Sequence, residues 1–233
     1  MAELKPRHSI FCYDLLPVAL IRFPARVVLF DWDGTLLDSY AADSGAYLEM
    51  FRQLGIAWDA RDFERHYSPN WLRVYRAARL PRTKWELADR LWKRAYRRQN
   101  PELLPGARSV LRTLHRDFRL GIVSSGSRWR VRNQLREFEL KRYLSVCVCS
   151  EDAHRRKPDP APLRLALGRL KASPEDTVYV GDSPEDIEMA QRAGVRSIGV
   201  LGPFPTEARL RAARPDLLLA SVRDVPKHLR AVE

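Results

Sequence analysis

Two carboxylates, Asp31 and Asp33, stand directly after the apolar run 27–30. Four consecutive bulky apolar residues predict a strand covered on both faces, as in parallel sheets, and Gly34 allows a tight turn beyond it. Ligands of open parallel sheets bind at this carboxyl end of the strands. Two acids close together at such an edge repel each other unless a cation neutralises them or one takes up a proton. The pattern therefore predicts a cation site or, on the simpler interpretation, only an Asp-Gly turn.

A second acidic pair, Asp182 and Asp186, follows a predicted strand at 177–180. The simpler interpretation is the start of a helix, where a Ser-Pro pair forms the cap and the helix dipole favours acids. The functional interpretation is that Asp182 meets the first acidic pair around one hard cation, which prefers oxygen ligands.

Hydroxyl groups follow a third predicted strand, 119–123. Ser124 ends this strand, and Ser125 and Gly126 would offer backbone N–H groups at the start of the next helix, which is a natural site for an anion. A serine in a turn is the simpler interpretation. Lys157 follows two arginines and precedes a proline in a loop. Basic loop residues are commonly just solvated, although the proline favours a fixed, extended approach.

In this order, the four sites resemble the motifs of the haloacid dehalogenase-like superfamily, most of whose members are magnesium-dependent phosphohydrolases. The matching motifs are Asp31-x-Asp33-Gly34-Thr35, Ser124, Lys157-Pro158 and Gly181-Asp182-x-x-x-Asp186. The first motif has its phosphatase form, because the dehalogenases of the superfamily lack the second Asp. The resemblance covers the chain from about residue 26 to 200 and is nearest to the phosphoglycolate phosphatase-like branch.

The resemblance implies that Asp31 attacks phosphorus and forms an aspartyl-phosphate, which splits one difficult displacement into two easier ones. Asp33 would protonate the leaving oxygen and then activate the water that hydrolyses the intermediate. Ser124 would donate to the phosphoryl oxygens, and Lys157 would neutralise the phosphate and the nucleophile.

The implied cofactor is Mg²⁺, with Asp31, Asp33 and Asp182 as its ligands. Asp186 would orient the site from behind these ligands or contact the ion through water. The N–H groups of residues 125–126 would bind the phosphate. A magnesium-dependent phosphatase acting on a small phosphorylated metabolite, similar to phosphoglycolate, is the function that the resemblance implies.

The segment 40–105 has the periodicity of helices with one buried face each and is longer than a crossover helix, so it predicts an inserted all-helical subdomain. In the superfamily, an insertion at this point is the cap that closes over the active site. Strands and helices alternate in the remainder, which predicts a Rossmann-like, doubly wound parallel sheet. The expected domains are a core of 24–39 plus 106–233, the cap, and an N-terminal extension of residues 1–23.

The composition of the 233 residues, 45% of them hydrophobic, is that of a globular protein. The net charge of +12 favours anionic partners or substrates, so nucleic acid has to be considered. Residues 84–98 interleave aromatic and basic side chains, but the aromatic residues are spaced like the buried stripe of a helix, which disfavours nucleic-acid binding. Cys12, Cys147 and Cys149 lack metal-ligand spacing and are expected to be reduced thiols.

The apolar run 15–21 is too short for a membrane span and is interrupted by Pro17, which disfavours a secretory signal. We expect a cytoplasmic protein that does not enter membranes. The oligomeric state stays open between a monomer and a homodimer.

Two other functions stay open. The β-phosphoglucomutases, which are related phosphosugar mutases, have a His twelve positions after the nucleophile, where this chain has Asp43. A nucleic-acid-binding protein that uses the basic helices is the alternative from another class. We expect instead that Arg73 and Arg76 contact a second anionic group of the substrate. Residues 71–98 contain ten Lys and Arg against two acids, and most of these charges must be solvated.

Overall fold

The structure, a computed structural model, describes residues 21–232. Most of the expected N-terminal extension, with Cys12 and nearly all of the run 15–21, lies outside the described residues. The strands are β1 (Phe23–Ala25), β2 (Val27–Phe30), β3 (Leu37–Asp38), β4 (Glu102–Leu103), β5 (Arg119–Val123), β6 (Leu144–Val148), β7 (Thr177–Gly181), β8 (Arg196–Val200), β9 (Leu217–Leu219) and β10 (Leu229–Ala231). The α-helices are α1 (Tyr40–Gln53), α2 (Ala60–His66), α3 (Trp71–Ala77), α4 (Trp85–Tyr96), α5 (Ala107–Leu114), α6 (Arg128–Glu137), α7 (Ala161–Leu170), α8 (Pro184–Ala193) and α9 (Glu207–Ala212).

Six strands form one sheet in the order β6-β5-β2-β7-β8-β9, and every neighbouring pair in it is parallel. The central strand β2 is fully buried, because helices cover both faces of the sheet. Its last residue, Phe30, is level with Ile122 of β5 and with Val180 of β7. The carboxyl ends of the three central strands therefore meet at one edge.

Apolar clusters lie on both faces of the sheet. On one face, α5 and α6 pack against alternate strand residues, and on the other face α7 and α8 do so. This arrangement confirms the predicted doubly wound parallel core, and the short strand β9 forms one edge of its sheet. Strand β1 begins at Phe23, inside the expected extension, and pairs with β10 near the other end of the chain.

Helices α1 to α4 lie between the short strands β3 and β4, which pair antiparallel. The helices are those that the periodicity predicts, and they pack around a cluster rich in aromatic residues. Strands of two residues carry no alternation pattern, so the sequence did not reveal this pair. No helix of the described residues is long and apolar enough to cross a membrane.

We expect Gly121→Ala to lower the free energy of unfolding by about 1–3 kcal/mol, because overpacking of a close-packed core strains its neighbours. A Cβ atom at this position in β5 would overlap Val146 and would lie 2.8 Å from Cδ2 of Leu29 in β2. Urea unfolding followed by circular dichroism measures the change.

The matched control is Gly168→Ala in α7, where an added Cβ would meet no atom within 4 Å. This variant should be as stable as the unmodified protein or about 0.5–1 kcal/mol more stable, since alanine favours helix interiors. Equal stability of the two alanine variants would contradict the close packing at β5.

Candidate active site

Three polar residues stand at the aligned carboxyl ends of the central strands. Asp31 follows β2, Ser124 follows β5 and Asp182 follows β7. The backbone N–H of Asp31 donates to the carbonyl of Val180 at 2.8 Å, so Asp31 continues the pairing of β2 with β7. The parallel register therefore brings together residues that are separated by about ninety and sixty positions in the chain.

Three buried carboxylates form one group at this edge. Asp31, Asp182 and Asp186 each place a carboxylate oxygen within 4.8 Å of the others. The hydroxyl of Thr35 donates to Oδ1 of Asp182 at 3.2 Å. Buried carboxylate oxygens are the ligands that a hard divalent cation prefers, so the donor set fits Mg²⁺.

The ammonium of Lys157 lies inside this group. Its Nζ donates to Oδ1 of Asp31 at 2.5 Å, to Oδ1 of Asp186 at 2.7 Å and to the hydroxyl of Tyr179 at 2.8 Å. All three N–H groups are thereby used, although the side chain is almost completely buried. Burial lowers the pKa of Lys157, but the negative charges of Asp186 and Asp31 outweigh it and raise the pKa overall. Lys157 is therefore a fixed positive charge, not a solvated loop residue.

One ammonium does not balance three carboxylates. Burial raises the pKa of Asp31 to about 7, Lys157 opposes this shift, and the charges of Asp186 and Asp33 add to it. Burial, with the charge of Asp31, also holds the pKa of Asp182 well above its ordinary value. The group thus favours either bound protons or a further cation.

Asp186 both caps a helix and orders the site. Its Oδ2 accepts from the backbone N–H and the hydroxyl of Ser183, which completes a capping box at the start of α8. Its Oδ1 accepts from Lys157 and Tyr179. A helix cap and a functional site are therefore not alternatives for Asp186, because one oxygen of its carboxylate caps α8 and the other contacts Lys157 and Tyr179.

The carboxylate of Asp33, expected among the cation ligands, lies outside the group of three. It forms a two-pronged ion pair with Arg130 of α6, at 2.7 Å and 2.6 Å. Arg130 is buried and also donates to the hydroxyl of Tyr96 in α4 at 3.1 Å. The planar guanidinium matches both carboxylate oxygens, which turns Asp33 away from the other acids and toward the helices. Arg130 is one of several arginines in its segment, and nothing in the sequence distinguishes it.

The turn after β5 contains the hydroxyl groups of Ser124 and Ser125 and the backbone N–H groups that precede α6. The hydroxyl of Ser124 accepts from the N–H of Gly126 at 2.9 Å. The hydroxyl of Ser125 is buried and has no hydrogen-bond partner within residues 21–232. Ser125 and Gly126 line a cavity that also reaches Asp31. Their position before α6 agrees with the anion site expected there.

This cavity has a volume of about 470 Å³ and lies between the sheet edge and helices α1 to α4. Lining residues from the core include Asp31, Asp33, Ser125, Gly126, Arg130, Arg156 and Asp182. Lining residues from the helical segment include Asp43, Tyr47, Tyr67, Trp71, Tyr75, Trp85, Glu86, Asp89, Trp92 and Lys93. The sequence did not point to the tryptophans as lining residues, because their spacing is that of an ordinary buried helix face. It did not point to Arg156 either, because this residue is one of several basic residues in a loop.

Arg73 and Arg76, which we expect to contact the substrate, are not among the residues that line the cavity. Arg73 donates to Oε1 of Glu185 at 3.1 Å, and Arg76 is exposed. The start of α3 does approach the core, because the hydroxyl of Ser68 also donates to Glu185. Glu185 is buried and attracts the nearest arginine away from the cavity.

Comparisons with known proteins agree with this geometry. A family model described as haloacid dehalogenase-like hydrolase matches residues 28–200. The pyrophosphatase PpaX of Oceanobacillus iheyensis is 26% identical over 86% of this chain and 94% of its own length. The phosphoglycolate phosphatase of Salmonella paratyphi A is 29% identical over 86% of this chain and 90% of its own length.

Solved structures give the same result. A haloacid dehalogenase-like hydrolase from Bacteroides fragilis has a TM-score of 0.79 and 26% identity, covering 86% of this chain and 99% of that one. CbbY from Rhodobacter sphaeroides, solved in complex with phosphate, has a TM-score of 0.75 and 25% identity, covering 86% of this chain and 96% of that one.

We expect Lys157→Met to lower the free energy of unfolding at pH 8 by about 3–5 kcal/mol, because Asp31 and Asp186 would stay buried without their positive partner. The loss should be smaller at pH 5. A carboxyl group whose pKa is raised by folding binds more protons in the folded chain, so its stability contribution falls as the pH rises from near 4 to about 7.

Urea unfolding at the two pH values in metal-free buffer measures this difference. Lys141→Met, at an exposed position, is the matched control and should leave the stability nearly unchanged at both pH values. A loss for Lys157→Met that is the same at pH 5 and pH 8 would contradict a role in compensating the carboxylates.

Proposed function

Since the chain belongs to the haloacid dehalogenase-like hydrolase family and is a phosphohydrolase, we propose that it hydrolyses a small phosphomonoester with Mg²⁺ and through a phosphorylated Asp31. The observation that carries this proposal is the contact of Asp31 with Lys157 beside two further carboxylates at the sheet edge. A carboxylate nucleophile needs positive charge next to it when an anionic phosphoryl group approaches.

In the first half of the proposed reaction, an oxygen of Asp31 attacks phosphorus as the bond to the leaving oxygen breaks. Lys157 neutralises the nucleophile and one phosphoryl oxygen. The hydroxyl of Ser124, the hydroxyl of Ser125, which is buried without a partner in the described chain, and the N–H groups before α6 donate to the others. Asp31 and Asp182 would hold the magnesium, with Asp186 behind them or in contact with the ion through water. When bound, the ion supplies compact positive charge to the phosphoryl oxygens.

Asp33 is the proposed proton carrier, because it lines the same cavity as Asp31 but takes no part in the carboxylate group. It would give a proton to the leaving oxygen and then receive one from the water that hydrolyses the aspartyl-phosphate. Its pairing with Arg130 fixes the carboxylate between the core and α4. In this proposal, movement of the helical segment as a cap would break or form the contact between Arg130 and Tyr96.

The alternatives are less well supported. Asp43 is buried where a mutase of the resembled kind has its His, and burial, with the charge of Asp33, raises its pKa to about 8. An uncharged carboxyl does not replace the base that returns a phosphoryl group to a sugar. Trp85 and Trp92 of α4 line a cavity wall that carries Glu86 and Asp89, whereas a surface that binds nucleic acid strands combines aromatic rings with a positively charged groove. We also propose that the enzyme is located in the cytoplasm and is a monomer or a homodimer.

We expect Asp31→Asn to reduce kcat at least a thousandfold while the fold is retained, because an amide cannot attack phosphorus as a carboxylate does. Hydrolysis of p-nitrophenyl phosphate measures activity, and circular dichroism measures the fold. Asp117→Asn, at an exposed position in the loop before β5, is the matched control and should keep full activity. Turnover by Asp31→Asn within tenfold of the unmodified enzyme would exclude the covalent route.

We expect EDTA to inactivate the enzyme and Mg²⁺ to restore it, with a half-saturating Mg²⁺ concentration about tenfold lower at pH 8 than at pH 6. The pH dependence follows from the pKa of about 7 for Asp31, since protons compete with the cation below that value. Asp182→Asn should raise the Mg²⁺ requirement at both pH values. Activity that survives EDTA, or a Mg²⁺ requirement unaffected by Asp182→Asn, would refute the proposed cation site.

A further inference from the structure

The wall that helices α1 to α4 contribute to the cavity is aromatic. Six lining residues from this segment have aromatic rings: Tyr47, Tyr67, Trp71, Tyr75, Trp85 and Trp92. The three tyrosines are buried, whereas the three tryptophans are only partly buried while lining the cavity. Tyr47 packs against Trp92, and Tyr75 packs against Trp71 and Trp85, so most of these rings form one connected group.

The charge of the same wall does not suit an anionic leaving group. Its acidic lining residues are Asp43, Glu86 and Asp89, and its one basic lining residue within the described chain is Lys93. Lys93 pairs with Asp89 at 2.6 Å. A chain with a net charge of +12 thus places no unpaired cation on the described helical wall of its own cavity.

The size of the cavity argues in the same direction. A water molecule occupies about 30 Å³ of liquid, so the volume of about 470 Å³ corresponds to roughly fifteen water molecules. The phosphoryl group would take part of this space, because Asp31, Ser125 and Gly126 line the same cavity. The remainder still has room for a leaving group larger than glycolate.

The tryptophans hold each other in place. Trp71 and Trp85 pack edge to face with ring centroids 5.8 Å apart, and Tyr75 contacts both rings. Nε1 of Trp85 donates to the carbonyl of Leu80 at 3.0 Å, which fixes its orientation. Rings preorganised in this way offer flat apolar surface without losing rotamer freedom on binding.

Arg156 is the polar group on the core side of this aromatic surface. Its guanidinium lies 5.1 Å from the ring centroid of Trp71. Its Nη1 is buried and has no hydrogen-bond partner within residues 21–232. The other arginine that lines the cavity, Arg130, is occupied by Asp33. A buried N–H without a partner is unfavourable unless a ligand or water accepts its hydrogen bond, so Arg156 is a donor available to a substrate.

We propose that the leaving group of the substrate is an aromatic ring that carries a hydrogen-bond acceptor, with the ring against Trp71 and Trp85 and the acceptor at Arg156. This inference rests on the proposed phosphatase function. In the reaction, the bond from phosphorus to the oxygen of the aromatic alcohol breaks as Asp31 bonds to phosphorus. That oxygen takes a proton from Asp33, and water then releases inorganic phosphate from Asp31.

The first test compares benzyl phosphate with cyclohexylmethyl phosphate, because both have a primary-alcohol leaving group and a six-membered ring of similar size. The unmodified enzyme should hydrolyse benzyl phosphate with a kcat/KM about three- to tenfold higher, as aromatic contacts add to simple area burial. Phosphoglycolate should be a poorer substrate than either. Because this comparison uses the unmodified enzyme, it does not depend on any variant folding.

The variants Trp71→Leu and Trp85→Leu should each reduce the benzyl preference, mainly through a higher KM for benzyl phosphate. Trp129→Leu is the matched control. Trp129 is 52% exposed on α6 and is not among the lining residues, so this variant should keep the preference of the unmodified enzyme.

The role of Arg156 is tested with benzyl phosphate that carries a para-carboxamide, a neutral hydrogen-bond acceptor. Arg156→Leu should lower kcat/KM for this substrate about tenfold more than for benzyl phosphate itself, because a hydrogen bond to a charged group is lost. Arg155→Leu is the matched control, since Arg155 is exposed and pairs with Asp159, and it should affect both substrates equally.

The outcomes separate the two proposals. Equal kcat/KM for benzyl and cyclohexylmethyl phosphate, or a preference for phosphoglycolate, would overturn the aromatic leaving group while the phosphatase function stands. An unchanged ratio of kcat/KM for benzyl and cyclohexylmethyl phosphate in Trp71→Leu and Trp85→Leu would overturn the proposed contact of the leaving group with these two rings. Failure to hydrolyse any phosphoester, including p-nitrophenyl phosphate with added Mg²⁺, would instead overturn the proposed function on which the inference rests.

Discussion

The interaction on which the site depends is the burial of Lys157 among carboxylates. Each of its three N–H groups has an acceptor, and two of these acceptors are charged. An ammonium in such surroundings is stabilised only while the geometry stays intact, because each charge alone would be strongly unfavourable at this depth. The loop that carries Lys157 is therefore fixed by electrostatics to the ends of β2 and β7. The same contact fixes the position of Asp31, from which it attacks phosphorus in the proposed reaction.

The incomplete balance of charge gives this edge its proposed chemistry. Three carboxylates and one ammonium leave a net negative charge that is shielded from water. The pKa values of Asp31 and Asp182 are raised for this reason. A divalent cation would complete this balance, and its charge together with that of Lys157 would then face an arriving phosphoryl group. Protein stability alone would be served as well by apolar residues, so the arrangement is better explained by binding than by folding.

The helical segment is joined to the core by polar contacts close to this edge and by aromatic contacts of Phe204 with Tyr40 and Tyr67. Arg130 connects Asp33 with Tyr96, and Ser68 connects the start of α3 with Glu185. Phe204, in the loop after β8, stacks on Tyr67 at 4.3 Å between centroids. The core thus contributes the side of the cavity that holds Asp31, Ser125 and Asp182, and the helices contribute its aromatic side. In the proposed reaction, chemistry and substrate selection therefore belong to different parts of the chain.

The sequence by itself determined the parallel core, the helical segment within it and the residues of the sheet edge. Buried strands are continuous apolar runs, helices repeat every 3.6 residues, and a strand tip is the residue after the run, so all three are local patterns. Asp31, Ser124 and Asp182 could be placed together because neighbouring parallel strands end at one edge. Lys157 entered only through the resemblance to a family, since its basic loop has no pattern of its own.

The tertiary structure alone decided which charges pair and which aromatic rings face the cavity. The carboxylate of Asp33 turns to Arg130, although it is only two positions from Asp31, and Arg73 pairs with Glu185, more than a hundred positions away. Trp71 and Trp85 have the spacing of core residues, yet they line the cavity. Pairing and orientation depend on distances between elements that are remote in the chain, and the spacing of residues along a helix or strand carries no record of those distances.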